Sequence, residues 1–487
     1  MSIKKAFRTG ILLLLALCML LSFAACKDEE VPVDTGEQET SDPSIQLAFP
    51  KTNYKAEFNV LYPEWQMYND YFFADEEQRG ETIADAILQR ADMVYDYLGV
   101  DVRGVPTPLH GTIAINAIAI EVKNKVGAGD DAYQLVMTHT FASVTSMVTD
   151  GYLLDFYGME NINLEADYWN KGAVDSLAVG GVGYYALSDY LISDPIAVFF
   201  NKGMLADYEQ LQNPYQLVRD KKWTLDMMFQ MASQVDFDND GLEDPLQGTY
   251  GFTCMSNWPF ISLLDSCGVS IVKNDDGYKS LDMSASNEAY ASLLDIVFQN
   301  VGQDWTFLWP YGASETQKMT IANGKSLFSM ESLKDAYKHR ESEVKFGILP
   351  TPTGSEGQDY QSFNWSGMMC VPNKVKNQAM VEQTLEALAY FSSETLKPAY
   401  YEKLLGARLA DTPEDAEMLD VIWDSIVLNP AINYMEESGK DLGKLIYSIA
   451  DGVNGIRVNG TPGFDIASQW NTYKKGAQDI INQFLNV

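Results

Sequence analysis

The sequence predicts an α/β fold, because short apolar runs of strand length alternate with segments of helical periodicity. Of the 487 residues, 46% are hydrophobic and 21% are charged, which is close to the composition of globular proteins and excludes wholesale disorder. At about 100 to 200 residues per domain, this length predicts roughly two to four folding units.

The strands are predicted from apolar runs of three to five residues, which are long enough for a buried strand and too short for a helix. The predicted strands span 59–62, 134–138, 152–154, 196–200, 326–330, 345–349 and 367–371. The glycines at 180, 181 and 183 lack the long Rossmann spacing and predict a turn between strands.

The helices are predicted from apolar residues that recur every three or four positions. This recurrence predicts a first helix over 83–98 and a short helix around Met147. Thr224 is suited to cap a helix over 225–235. The recurrence resumes at Val381 and continues, with breaks, to the end of the chain.

The charge of the chain restricts its partners. The 34 basic residues against 68 acidic residues give a formal net charge of −34 and a pI near 4.3. Nucleic-acid binding depends largely on clustered Lys and Arg, so the sequence predicts no nucleic-acid partner. Neutral or cationic partners remain compatible with this composition.

The N-terminus predicts export. Three basic residues near the start precede an apolar run at 11–21 and the segment 22–26, SFAAC, as in a secretory signal peptide over residues 1–25. The run is shorter than the roughly 20 residues needed to span a bilayer. The segment resembles a bacterial lipobox, and this resemblance implies that Cys26 is acylated and becomes the mature N-terminus. The alternative is an ordinary secretory signal followed by an incidental cysteine.

Residues 26–50 are expected to form a disordered acidic tether. The segment 27–44 holds seven acidic residues, one Lys and no aromatic residue, so it cannot bury enough apolar surface to offset its ordering entropy. No later run approaches 18 apolar residues. We therefore expect a protein held at the extracellular face of the cell membrane by its lipid anchor.

Familiar catalytic motifs are missing from the sequence. There is no C-x-x-C, H-E-x-x-H, G-x-S-x-G or P-loop motif, and no catalytic residue or required cofactor is predicted. The three core cysteines, Cys254, Cys267 and Cys370, are better explained as buried free thiols than as a Cys254–Cys267 bridge. His110 and His339 are expected to be solvated.

One acidic loop predicts a structural Ca²⁺ site. Oxygen ligands stand at loop positions 1, 3, 5 and 9, a backbone carbonyl stands at position 7, and Gly241 occupies the turn position. The predicted ligands are Asp236, Asp238, Asp240, Leu242 and Asp244. Gln247 replaces the usual bidentate carboxylate at position 12, which weakens the prediction relative to an acidic hairpin without metal.

Several landmarks, taken in order, carry a resemblance to a known family. They are GAGDDAYQLVMTHT at 127–140, DGYLLDF at 150–156, ALSDYLISDPIAVFFNKGML at 186–205, KWTLDMM at 222–228, NGKSLFSM at 323–330, KFGILPTP at 345–352, MMCVPN at 368–373 and ARLADTPEDAEML at 407–419. Together they resemble the extracellular solute-binding lipoproteins of ABC importers, especially the carbohydrate-binding, family 1-like group.

The resemblance implies a two-lobed, class II periplasmic-binding-protein-like fold with hinge crossovers. The implied N-terminal lobe comprises 51–195 plus 366–408, and the C-terminal lobe comprises 196–365 plus 409–487. The crossovers are expected near 194–197, 364–368 and 408–412. Ligand binding would then favour a closed state through its higher affinity for that state.

The aromatic content of the sequence favours a sugar ligand, because pyranose rings combine an apolar face, which stacks on aromatic rings, with a rim of hydroxyl groups. The candidate ligand-binding residues lie in loops after predicted strands or at the expected lobe edges. They are Thr138, His139, Thr140, Asn257, Trp258, Trp305, Trp309, Tyr311, Glu331, Asn364, Trp365, Asn433 and Tyr434. The remaining tryptophans considered, Trp169, Trp223, Trp423 and Trp470, are assigned to packing.

The sequence therefore predicts a non-enzymatic, monomeric sugar- or oligosaccharide-binding lipoprotein that delivers its ligand to the permease subunits of an ABC transporter. One alternative is a secreted glycoside hydrolase whose acid pair is hidden among 68 carboxylates. Another is the same fold binding a peptide or another polar solute.

Overall fold

Two β-sheets form the framework of the protein. The computed structural model describes residues 45–64, 72–110, 112–139, 145–235, 242–272, 287–364, 367–404, 412–434 and 441–485. In chain order the strands are β1 (Ala56–Glu64), β2 (Val100–His110), β3 (Leu135–His139), β4 (Ile196–Asn201), β5 (Tyr250–Met255), β6 (Thr306–Trp309), β7 (Ser326–Ser332), β8 (Phe346–Pro350), β9 (Ser362–Phe363), β10 (Gly367–Cys370) and β11 (Ile426–Val427).

The first sheet has the strand order β10–β3–β1–β2, and the second has the order β6–β5–β7–β4–β8. Strand β1 is parallel to β2 and β3, whereas β10 is antiparallel to β3. In the second sheet β5 is parallel to β6 and β7, and β4 is antiparallel to β7 and β8. Strands β9 and β11 form a separate parallel pair. The carboxyl ends of β5, β6 and β7 therefore lie along one edge of the second sheet.

Helices alternate with these strands, which confirms the predicted α/β class. They are α1 (Thr82–Leu98), α2 (Thr112–Gly127), α3 (Thr145–Thr149), α4 (Lys171–Leu177), α5 (Lys202–Ala206), α6 (Pro214–Arg219), α7 (Leu225–Ala232), α8 (Ser262–Ser266), α9 (Asn287–Asn300), α10 (Asp335–Lys338), α11 (Gln378–Glu394), α12 (Leu396–Leu404), α13 (Pro413–Asp424), α14 (Pro430–Asn433), α15 (Asp441–Asn459) and α16 (Ile466–Leu485).

Local chemistry sets the ends of these helices. The hydroxyl of Thr224 accepts a hydrogen bond from the Met227 amide at 3.2 Å, so the predicted cap of α7 is confirmed. Gly99 ends α1 in the left-handed region at φ 62°, and its amide donates to the Tyr95 carbonyl at 2.7 Å. A side chain at that position would be strained, which explains why glycine stands there.

The predicted strand at 152–154 is wrong. Only Leu153 forms an isolated bridge, with Pro372, because the segment lies between the turn that follows α3 and a short 3₁₀ helix at Phe156–Gly158. The predicted glycine turn is present, but it closes an isolated bridge between residues 179 and 182 and does not join two of the strands. Gly180 and Gly181 both have positive φ, and residues 179 and 182 exchange two backbone hydrogen bonds of 3.0 Å across it.

Two chain segments that connect the sheets lie side by side. Pro195 and Asn364 form an antiparallel bridge, and the Asp194 amide donates to the side-chain oxygen of Asn364 at 3.3 Å. The crossovers expected near 194–197 and 364–368 fall on these segments. The third expected crossover lies largely outside the described residues, and the exact lobe boundaries stay predictions.

A buried apolar cluster connects helices from distant parts of the chain to the second sheet. Phe199 of β4 and Ile348 of β8 share this cluster with Ile87 of α1, Leu396 of α12 and Ile422 of α13. Burying one such side chain fully contributes about 1.5–3 kcal/mol to folding. Helices α12 and α13 therefore pack against elements that come hundreds of residues earlier in the chain.

The remaining structural predictions concern thiols and the N-terminus. Cys254, Cys267 and Cys370 are free thiols, so the alternative of a Cys254–Cys267 bridge is excluded. Leu47–Val487 forms one compact unit. Across the described ranges, every helix is too short or too polar to cross a membrane. The signal peptide, Cys26 and the tether up to residue 44 lie outside the described residues.

Candidate functional site

A cavity of about 320 Å³ opens at the carboxyl ends of β5, β6 and β7. In α/β sheets, ligands bind in crevices outside the carboxyl ends of strands, because the loops that follow parallel strands converge there. We call it the Glu331 pocket. Its lining includes Trp258, Trp309, Glu331, Asp335, Lys338 and His339.

Two tryptophans supply the aromatic walls of the Glu331 pocket. Trp309 ends β6 and packs against Tyr250 and Met319, so its ring is held by a buried cluster. Trp258 is half-buried at the start of the short 3₁₀ helix Trp258–Ile261. Its amide donates to the side-chain oxygen of Asn257 at 2.7 Å, which caps that helix. Both rings are therefore positioned by local structure before any ligand binds.

Glu331 and His339 form a buried ion pair in the wall of this pocket. One carboxylate oxygen of Glu331 lies 2.7 Å from Nε2 of His339, and the other accepts a hydrogen bond from the Ile321 amide at 2.8 Å. Burial by itself raises the pKa of Glu331, but the charge and hydrogen bonds of its neighbours, His339 first, lower it overall. Burial by itself lowers the pKa of His339, yet Glu331 raises it overall. The expectation of a solvated His339 is wrong, because this partner compensates for its burial.

The two other carboxylates in the lining also have cationic partners. Asp335 lies 2.7 Å from the ammonium of Lys338, and Glu315 lies 2.7 Å from that of Lys318. Burial raises the pKa of Asp335, and Lys338 only partly offsets this. The pocket thus presents hydrogen-bonding groups whose charges are balanced within the protein. Such a lining is suited to a polar ligand without net charge.

The pocket is tied to the crossover segment through Asp194. The Ser332 hydroxyl, at the end of β7, donates to the carboxylate of Asp194, with distances of 2.6 and 2.7 Å to its two oxygens. The Lys334 ammonium lies 2.8 Å from the same carboxylate. Since Asp194 also donates through its amide to Asn364, Ser332 of the pocket lining is linked directly to one crossover segment and, through Asp194, to the other.

His139 belongs to the first sheet and lies near this network. It ends β3, and it is buried along with Thr138. Burial and, after it, the positive charge of Lys334 together lower the pKa of His139 to about 3. The imidazole is therefore neutral at physiological pH, when it can both donate and accept hydrogen bonds. Because Lys334, just after β7, acts electrostatically on His139, the carboxyl ends of β3 and β7 lie near each other.

Comparison with solved structures finds a matching fold. The GacH receptor of Streptomyces glaucescens GLA.O aligns with a TM-score of 0.54 at 14% sequence identity, covering 87% of this chain and 99% of that chain. That receptor was solved unliganded and in complex with acarbose and an acarbose homolog, and was compared with acarbose-loaded maltose binding protein of Salmonella typhimurium. No protein-family model and no curated protein sequence matches the chain.

The chain has the two-lobed periplasmic-binding-protein fold. We refer to the parts built around the first and second sheets as the first and second lobes. The Glu331 pocket belongs to the second lobe, and His139 belongs to the first. Of the candidate residues from the sequence, Trp258, Trp309 and Glu331 line this pocket, and Asn257 caps the turn that presents Trp258.

Other candidates from the sequence lie apart from the Glu331 pocket. Trp305 is buried against Phe229, with ring centroids 6.0 Å apart, and Tyr311 is 61% exposed just after β6. Tyr434 is buried, its carbonyl accepts from the Thr145 hydroxyl at 2.7 Å, and its neighbour Asn433 is buried too. Tyr434 thus packs against the first lobe. Thr140 and Trp365 lie outside the described residues.

The predicted calcium loop is described only at its end. Asp236, Asp238 and Asp240 lie outside the described residues, and Leu242 is 40% exposed. One oxygen of Asp244 accepts from the Leu246 amide at 3.0 Å and so caps the short turn that follows the loop. Within the described ranges, no cluster of three or more His, Cys, Asp or Glu residues could hold a metal. The calcium site stays a prediction.

Sequence reasoning missed part of the pocket. Asp335 and Lys338, and likewise Glu315 and Lys318, are opposite charges three residues apart, a spacing that predicts pairing but not a ligand site. Their position after strands of the second sheet was the signal that could have added them. His339 also follows β7, but its partner Glu331 lies eight residues earlier, outside the three- or four-residue spacing that predicts pairing.

Proposed function

We propose that this protein is an extracellular, lipid-anchored solute-binding protein that captures a sugar or oligosaccharide and delivers it to the permease of an ABC transporter. The observation that carries the proposal is the Glu331 pocket. It combines two tryptophans with three charge-balanced carboxylates at the carboxyl edge of a sheet.

Several properties of this pocket support a carbohydrate ligand. Indole rings give flat apolar surface for stacking against the CH face of a sugar, and paired carboxylates still have lone pairs that accept hydrogen bonds from hydroxyl groups. The matching fold of a receptor solved with acarbose is consistent with this ligand class. No covalent chemistry is required of the site, and we propose that the ligand leaves unchanged.

Capture is proposed to proceed by hinge closure. Ser332 of the pocket lining is hydrogen-bonded to Asp194, which also contacts the neighbouring crossover at Asn364. A ligand that touches the second lobe at Glu331 and the first lobe near His139 favours the closed form by its differential affinity for that form. The permease would then recognise the closed shape.

The lipid anchor is a separate part of the proposal and rests on the sequence alone. Acylation at Cys26 would hold the protein at the outer face of the membrane, since two or more acyl chains give stable attachment. The test is membrane fractionation of the Cys26→Ser variant in its native cell. Release of the variant into the medium is expected, and unchanged retention in the membrane fraction contradicts the anchor.

The ligand is tested by a calorimetric and thermal-shift screen of residues 27–487 against mono- and oligosaccharides, with short peptides as a parallel set. At one hundred times the dissociation constant, a bound sugar stabilises the protein by about 2.7 kcal/mol. Stabilisation by a sugar that is recovered unchanged supports the proposal. Sugar cleavage supports a glycoside hydrolase, and stabilisation by peptides alone overturns the carbohydrate assignment.

A further inference from the structure

A second cavity of about 600 Å³ lies between α12, α13 and the segments 167–171 and 187–193. It shares no lining residue with the Glu331 pocket. We call it the Trp423 pocket. The sequence assigned Trp169, Trp223, Trp423 and Trp470 to packing. Trp169, Trp223 and Trp470 are buried as expected and Trp423 is half-buried, but Trp169 and Trp423 also line this cavity.

Aromatic rings form much of the wall of the Trp423 pocket. The half-buried indole of Trp423 stacks on Tyr400, with ring centroids 6.0 Å apart and an interplanar angle of 14°. Tyr401 meets the same indole edge-on at 5.6 Å. Tyr168 and Trp169 also line the pocket, and their polar atoms donate to Glu386, which lies outside it, at 2.6 and 2.8 Å. These two side chains therefore offer mainly apolar ring surface to the cavity.

The charges of the lining are unbalanced, unlike those of the Glu331 pocket. Four carboxylates and two ammonium groups line the cavity. Lys397 pairs with Asp189 at 3.1 Å within the pocket. Lys171 is 3.0 Å from Asp175 and 3.7 Å from Glu165, neither of which lines the cavity. The positive charge of Lys171 is therefore balanced by acidic groups outside the cavity.

Three carboxylates of the lining remain without a cationic partner among the residues that the structure describes. They are Asp167, Asp420 and Asp424. The last two stand one helical turn apart on α13, on either side of Trp423. The pKa of the Tyr401 hydroxyl is raised first by burial and then by Asp420, Asp424 and Asp189, which indicates that negative potential concentrates beside the aromatic wall.

We propose that the Trp423 pocket binds an organic ammonium ion, with its charge beside Asp420 and Asp424 and its apolar body against Trp423 and Tyr401. Aromatic faces attract cations through their quadrupole, and nearby carboxylates add direct Coulomb attraction. A neutral sugar would gain no Coulomb attraction from these carboxylates, whereas a cation would. The net charge of −34 further favours the approach of a cation.

The test is a ligand-detected NMR titration of the full chain in detergent at low salt, with choline and its neutral carbon isostere 3,3-dimethylbutan-1-ol as probes. Choline is expected to bind at least about tenfold more tightly than the alcohol, a difference of about 1.4 kcal/mol. Equal affinity for the two probes, or no measurable binding of choline, overturns the proposal.

Variants locate the binding. The double variant Asp420→Asn/Asp424→Asn and the single variant Trp423→Leu are each expected to weaken choline binding by about tenfold or more. The matched control Asp304→Asn/Asp479→Asn removes the same charge at exposed positions elsewhere and should leave the affinity within about twofold. If the control weakens binding as much as the pocket variants, attraction to the overall charge explains the result and the site is refuted. Trp258→Leu should leave choline binding unchanged. If this variant loses choline binding, choline binds in the Glu331 pocket instead.

Discussion

One carboxylate oxygen of Glu331 lies 2.7 Å from Nε2 of His339, and this pair is buried in the wall of the pocket at the carboxyl ends of β5 and β7. A buried charge is costly unless a partner balances it. The pair therefore supports both the stability of the second lobe and the polar character of the proposed sugar site.

Removing His339 should destabilise the protein more than removing the whole pair. His339→Gln leaves the Glu331 carboxylate buried without its cation, and we expect a loss of about 3 kcal/mol or more in the free energy of unfolding. Glu331→Gln/His339→Gln removes both charges and should cost less. Urea unfolding at pH 6 measures both variants. A double variant that is no more stable than the single one contradicts the charge-balance account.

The Glu331–His339 pair should stabilise the folded protein only within a limited pH range. His339 has a raised pKa in the folded protein, so its stabilisation is complete below its ordinary value of 6.5 and is lost as pH rises through the folded value. Glu331 has a lowered pKa, so its stabilisation is present above its ordinary value of 4.5 and is lost as pH falls through the folded value. The wild type should exceed the double variant in stability most between these two ordinary values.

Asp265 should make the protein less stable at alkaline pH. Burial raises the pKa of Asp265, and because a hydrogen bond from Asn429 offsets this only in part, the pKa is about 7. The folded state therefore holds a proton that the unfolded state releases near pH 4, and stability falls as pH rises from about 4 to 7. Asp265→Asn should stabilise the protein more at pH 8 than at pH 5, by on the order of 2 kcal/mol. Equal effects at both pH values, measured by denaturant unfolding, would refute the raised pKa.

Trp258 should be required for sugar binding, and Trp423 should not. Both indoles are half-buried, but they line different pockets. Trp258→Ala is expected to lower the affinity for the sugar found in the screen by about tenfold or more, because it removes a stacking surface. Calorimetry of Trp423→Ala provides the matched control. A larger loss for Trp423→Ala would move the sugar to the other pocket.

The acidic loop from Asp236 to Asp244 should bind Ca²⁺. Excess EGTA is expected to lower the melting temperature, and added calcium should restore it while magnesium should not. The variant Asp238→Asn/Asp240→Asn should melt at the EGTA temperature without chelator and respond to neither treatment. An unchanged melting temperature of the wild type in EGTA rules out a structural calcium ion.

Patterns that depend on one element alone were predictable from the sequence. The apolar runs of β4 and β7 and the Thr224 cap were recognised, because burial on both faces and hydrogen bonding at a helix start leave local signatures. The strand expected at 152–154 is wrong because the turn after α3 and the 3₁₀ helix at Phe156–Gly158 confine the segment, and only Leu153 forms a bridge.

The candidate site was less predictable, because it depends on which strand ends are neighbours. Trp305 and Trp309 are four residues apart, yet only Trp309 reaches the carboxyl end of β6 and the pocket. From the sequence, Trp423 is predicted to be a packing residue of its helix. The cavity that it lines forms only where α12 and α13 meet. Such contacts between distant segments have no counterpart in local spacing.

Small-angle X-ray scattering of the protein with and without a saturating sugar identified by the screen is the decisive test of closure around a ligand. We expect the radius of gyration to decrease on binding and the sugar to be recovered chemically unchanged after dissociation. An unchanged radius of gyration at full saturation, or recovery of a cleaved sugar, would contradict capture by closure of the two lobes.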